Sequence, residues 1–120
     1  MNFSLTREQE LVKQMVREFA LNEVKPIAAE IDVTEEFPME NVKKMGKYGV
    51  MGIPFSTEYG GAGGDTLSYI IAVEELSKVC GTTGVILSAH TSLGASPIAQ
   101  FGTPEQKAKY LPDLASGRKI

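Results

Sequence analysis

The sequence predicts an all-α protein, an orthogonal bundle of about five to six crossing helices, and three features predict it. Apolar residues recur at spacings of three and four along much of the chain, the period of one helix face. Two Thr-x-x-Gln signatures, Thr6 with Gln9 and Thr103 with Gln106, mark helix starts. No segment alternates apolar and polar residues over the length of a strand.

The first helix starts at Thr6, whose hydroxyl, with the Gln9 amide, can satisfy two otherwise orphan backbone N–H groups. Leu11, Val12, Met15, Val16, Phe19 and Ala20 form its apolar face, with Arg7, Glu10, Gln14 and Arg17 between them. The pattern continues through Val24, Ile27, Ala28 and Ile31. Pro26 lies inside it, lacks an N–H and crowds the preceding turn, so a kink or break is expected there. A second helix is expected from Pro38, in its first turn, burying Val42 and Met45 and stopping at Gly49.

The glycine-rich stretch GIPFSTEYGGAGGD at 52–65 reads as loop. Asp65 or Thr66 then caps a helix whose apolar positions are Leu67, Ile70, Ile71, Val73, Leu76 and Val79, with Gly81 as its end. Residues 82–102 read as helical but interrupted, because Gly94 and Pro97 both resist a continuous helix. The last helix has an N-cap Thr103, Pro104 at its first position, Glu105 in its first turn and Gln106 closing the box. It runs to Ala115, with Gly117 as its stop. The connections differ in length, which favours crossing helices over a regular four-helix bundle. The expected core gathers Val16, Phe19, Ile71, Leu76 and Leu111.

With 120 residues the chain is the length of one domain, 1–120. Its longest apolar run, YIIAV at 69–73, is too short to cross a bilayer, and MNFSLTREQE has no apolar core of a secretory signal. Cys80 stands alone, so an intrachain disulfide is excluded. A cytoplasmic location is the expectation. The net charge of −3, with cations scattered among acids, argues against a nucleic-acid partner.

Chemistry is sparse. YGGAGGD lacks the spacing of a dinucleotide loop and the Gly-Lys-Ser/Thr ending of a phosphate loop, and no strand precedes it. It reads as a tight connection. His90 is the only histidine, so no histidine-based metal cluster can form. A phosphoacceptor role is the less favoured reading, since HTSLGAS offers no lysine to steady a phosphoryl group. Glu74 and Glu75 point about 100° apart on a helix and cannot share a substrate atom. Glu35 and Glu36 sit at a helix entry. The stretch 84–96 is crowded with small residues, which suits either close helix packing or a groove open to a thin apolar ligand.

The opening LTREQELVKQMVREFALNEVKPIAAEID, the PFSTEYGGAGGD loop leading into SYIIAVEELSKVCGTTGV, the SAHTSLGASPI segment and FGTPEQKAKYLPDLASG together resemble the N-terminal domain of the acyl-CoA dehydrogenase family. The look is nearest to its bacterial butyryl-CoA, short-chain type. The resemblance implies an FAD enzyme of three domains, helical, β and helical, that oxidises an acyl-CoA to the trans-2-enoyl-CoA. It implies a glutamate that removes the α-proton, a β-hydride passing to flavin N5, and reoxidation by an electron-transfer flavoprotein. It further implies that the glutamate and most FAD contacts lie in the other two domains, absent here. No catalytic residue and no cofactor-binding residue is therefore assigned, no bound FAD or metal is expected on this chain alone, and it is expected to be inactive. Full-length members commonly form homotetramers.

What the resemblance does carry over is a wall at the far end of the acyl pocket, matching the small-residue stretch. Leu87, His90, Leu93 and Gly94 follow a three-to-four spacing and are its candidate lining. The alternative is a stand-alone helical binding or docking module without catalysis, which expects a closed surface.

Overall fold

A computed structural model describes residues 1–120, and it contains helices and turns but no strand. Helix α1 (Arg7–Phe19) runs into a π turn, Ala20–Val24, and on into α2 (Lys25–Thr34). Helix α3 (Met39–Lys47) is followed by the 3₁₀ turns Val50–Gly52 and Thr57–Tyr59, then by α4 (Thr66–Val79). Helix α5 (Gly81–Ser88), a second π turn (Ala89–Ala95) and α6 (Ser96–Phe101) are again continuous, and α7 (Pro104–Ala115) closes the chain. Counted as unbroken rods, residues 7–34 and 81–101 and the three separate helices make five.

At Pro26, where a kink or break is expected, and in the 82–102 stretch, expected to be helical but interrupted, the α-helix gives way to a wide turn. The N–H of Lys25 reaches the Ala20 carbonyl and that of Ser96 reaches the Thr91 carbonyl, each one residue further than an α-helix allows. Proline lacks a donor and its ring crowds the carbonyl four residues back. A widened turn directly before Pro26 and Pro97 lets the helix continue around both problems. The local boundaries also correct two expectations. Pro38 sits just before α3 rather than in its first turn. Gly81 opens α5, because Cys80 is extended (φ −152°, ψ 109°) and forms the corner that ends α4.

The first π turn is braced from α3. The buried Asn41 amide donates to the Glu23 carbonyl at 3.1 Å, and Lys44 lies 2.7 Å from the Glu23 carboxylate. That hydrogen bond holds the Lys44 ammonium above its ordinary pKa. Both predicted capping boxes are present, at Thr6 and at Thr103.

Helix α4 lies between α1 and α5. Its buried residues are Ser68, Tyr69, Ile71, Ala72, Glu75 and Leu76, whereas Leu67 and Ile70, expected inside, are 46% and 48% exposed. A helix packed on two sides buries more than one stripe, and small or hydrogen-bonded polar residues fit where neighbours approach closely. The core is also divided. Val16, Phe19, Leu76 and Leu87 belong to a large cluster, while Leu111 packs with Phe55, Ala95 and Ala115 in a smaller one under α7. The two meet where Gly52 passes so close to α7 that a Cβ there would stand 2.5 Å from the Ala115 carbonyl oxygen.

The molecule is a plate of 42 × 38 × 21 Å with a radius of gyration of 14.3 Å, against about 13.5 Å for a compact chain of this length. So thin a body covers few residues on both sides, and sixteen large apolar side chains remain exposed.

One polar link joins the starts of α1 and α4. Gln9, buried, accepts from the Thr6 N–H through Oε1 (2.9 Å) and donates through Nε2 to Asp65 Oδ2 (2.8 Å). Asp65 Oδ1 in turn accepts from the Ser68 N–H at 2.7 Å. Hydrogen bonds from Ser68 first, then from Gln9, hold the Asp65 carboxyl below its ordinary 3.8. A carboxyl depressed on folding stabilises the fold above its unfolded pKa and loses that contribution as pH falls through the folded value. Urea midpoints measured from pH 5 downward should therefore decline below about pH 4. Asp65→Asn, which keeps the cap but not the charge, should flatten that decline, leaving the part due to Asp113, which Arg118 holds down in the same direction.

Candidate functional site

The four residues proposed to line one wall do not share one surface. Leu87 is fully buried in the large cluster. His90 is 6% exposed, and its Nε2 lies 2.8 Å from the Leu114 carbonyl of α7. A carbonyl only accepts, so Nε2 carries the proton. Leu93, by contrast, is 77% exposed, and a Cβ on Gly94 would meet only the Ala89 carbonyl oxygen, at 3.9 Å. Three-to-four spacing places residues on one face only in a regular α-helix. The π turn adds a residue to each turn and rotates Leu93 away from Leu87 and His90.

The small-residue stretch thus splits into two uses. A Cβ at Gly84 would collide with Ser77, so at that point the stretch lets α5 press on α4. At Leu93 and Gly94 it leaves open surface. Tyr69 fixes this second π turn from α4, with its hydroxyl 2.8 Å from Ser92 Oγ and donating to the Ser88 carbonyl at 3.3 Å. Sequence reasoning overlooked Tyr69. The available signal was a tyrosine inside an apolar helix stretch, since a buried phenol needs a partner. Thr91, 1% exposed, keeps a hydroxyl with no partner.

The glycine loop behaves as a connection. The N–H groups of Ala62, Gly63 and Gly64 donate to the carbonyls of Gly52, Phe55 and Ile53 at 2.9, 2.8 and 2.7 Å. Gly61 lies against the Phe55 carbonyl with no room for a Cβ, and Gly63 has φ 69°. These three donors are consumed internally, so the glycine run does not present them as a cradle for a phosphate. No group of three or more His, Cys, Asp or Glu side chains is placed to hold a metal ion.

The five main clefts are surface grooves of about 260 to 450 Å³, and none is lined by Leu87, His90, Leu93 or Gly94. A flavin needs a slot for its ring system and donors for its pyrophosphate; this chain's residues alone do not fit one. The exposed Leu93–Gly94 surface can serve as one side of a pocket whose other sides come from elsewhere.

Residues 6–118 match the model of the family described as acyl-CoA dehydrogenase, N-terminal domain. Among curated relatives, the short-chain specific acyl-CoA dehydrogenase of Clostridium acetobutylicum is 82% identical over the whole chain, which covers 32% of that protein. Among solved structures, butyryl-CoA dehydrogenase from Megasphaera elsdenii superposes with a TM-score of 0.95 at 39% identity, over 100% of this chain and 32% of that one. A chain in the structure of the electron transferring flavoprotein of Acidaminococcus fermentans superposes with a TM-score of 0.97 at 49% identity, again over 100% and 32%. The chain spans about a third of the length of the curated relatives it matches. No helix is long and apolar enough to cross a membrane.

The second π turn supplies a paired test. His90→Leu strands the Leu114 carbonyl and should cost about 1–3 kcal/mol in chemical denaturation. Thr91→Val removes an unpartnered hydroxyl at nearly constant shape and should leave stability equal or higher by about 1 kcal/mol. Equal losses in the two variants would contradict the assigned roles.

Proposed function

The chain belongs to the acyl-CoA dehydrogenase family, as its N-terminal helical domain, and on that premise we propose that the whole protein oxidises a short-chain acyl-CoA, butyryl-CoA first, to the trans-2-enoyl-CoA. The observation that carries the reading is 82% identity over the whole chain to a short-chain specific acyl-CoA dehydrogenase. In this reading a β-domain and a C-terminal helical domain complete the protein and hold FAD, which when bound supplies the acceptor for the hydride. The helical domain contributes no reacting group.

Its part is positional. Leu93 and Gly94 face the end of the acyl chain, with Leu87 and His90 behind them fixing the π turn from within. Shape at this wall sets how long a chain fits, and each methylene accommodated or refused is worth about 1–3 kcal/mol of selectivity. The proposal extends to an electron-transfer flavoprotein as the partner that reoxidises the enzyme, to a homotetramer, and to a cytoplasmic location.

A stand-alone binding module is the weaker reading, because a closed surface is what it expects and sixteen large apolar side chains are exposed. A phosphotransfer role fails on His90, which is buried and bonded to Leu114.

The test is chain-length selectivity in the full-length flavoprotein. Leu93→Ala should raise the ratio of kcat/KM for hexanoyl-CoA over butyryl-CoA by about tenfold. If both substrates change by the same factor, Leu93 is not part of the wall.

A further inference from the structure

The outer side of α1 carries a row of cations that the fold does not use. Arg7, Lys13 and Arg17 line one cleft of about 450 Å³. Arg17, Lys25 and Lys78 line a second of about 400 Å³, the two sharing Arg17. Arg7, Lys13, Arg17 and Lys25 have no carboxylate within 4.0 Å, whereas Lys78 is held by Glu75 at 3.0 Å and Glu74 at 3.6 Å. The acids lining these clefts are Glu10, exposed, and Glu75, buried and paired. The strip is therefore positive on a chain whose net charge is −3.

Two leucines lie among these cations. Leu11 is 53% and Leu21 44% exposed, each lining one of the two clefts. Unpaired cations beside exposed leucines match a partner that offers carboxylates and apolar side chains in the same register. From Arg7 to Lys25 the helical rise is about 27 Å, the length of a partner helix of about five turns. The cations are spread along this length instead of converging, which does not suit a small anion. With Glu10 in their midst they form no continuous track for a phosphate backbone.

We propose that this strip is a docking surface for an acidic amphipathic helix of a partner protein. The proposal is independent of the acyl-pocket reading.

The probe is a fluorescein-labelled synthetic helix with glutamates and leucines at i, i+3, i+4 and i+7, titrated with the full-length protein and followed by anisotropy. Binding should weaken with added salt, and by about tenfold in R17E/K25E, with the milder R17Q/K25Q intermediate. The control K43E/K47E, an equal charge change on the exposed face of α3, should bind within about twofold of the unchanged protein. Three results would overturn the proposal. Equal weakening by the control would mean a general charge effect. No binding to the unchanged protein would mean that the rest of the chain covers the strip. Displacement of the peptide by millimolar inorganic phosphate, by phosphatidylserine vesicles or by a DNA duplex would assign the strip to that ligand.

Discussion

The fold depends on two widened turns, each placed directly before a proline. Without them Pro26 and Pro97 would break the rods at 7–34 and 81–101, and α2 and α6 would leave in other directions. A π turn is costly by itself, and in this chain each is held by side chains from other helices. Asn41 and Lys44 of α3 hold Glu23 in the first. Tyr69 of α4 holds Ser92 of the second and the Ser88 carbonyl just before it, and His90 of that turn reaches the Leu114 carbonyl of α7. Local strain and tertiary hydrogen bonds are thus coupled: the turns set where the helices go, and the helices keep the turns open.

That coupling explains what could be read in the sequence. Helix starts at Thr6, Asp65 and Thr103 were legible because a cap is a local device, decided by residues three apart. The core residues Val16, Phe19, Ile71, Leu76 and Leu111 were legible from periodicity alone, and all five are buried. The form of the interruptions was not. Pro26 announces a kink or a break, but the π turn that answers it is held by Asn41, fifteen positions away and on another helix. The exposed Leu67 and Ile70 escaped for a related reason: hydrophobic spacing does not say how many neighbours a helix has.

The candidate wall shows the same limit at the level of function. The stretch at 84–96 could be picked out by its small residues, but the side chains that face outward depend on an extra residue in the turn. Spacing groups Leu87, His90, Leu93 and Gly94, while the structure puts the first two inside and the last two at the surface. A plate with exposed apolar side chains and open grooves is consistent with the proposed role of bordering a site, in a chain that matches the N-terminal domain of its family.

The most direct test of the central claim is spectroscopic. The protein purified from its own source, carrying whatever cofactor it holds, would be titrated with butyryl-CoA under anaerobic conditions. A visible flavin band that bleaches on addition of the substrate is the result this account predicts. No flavin band, or a band that butyryl-CoA leaves unchanged, would contradict it.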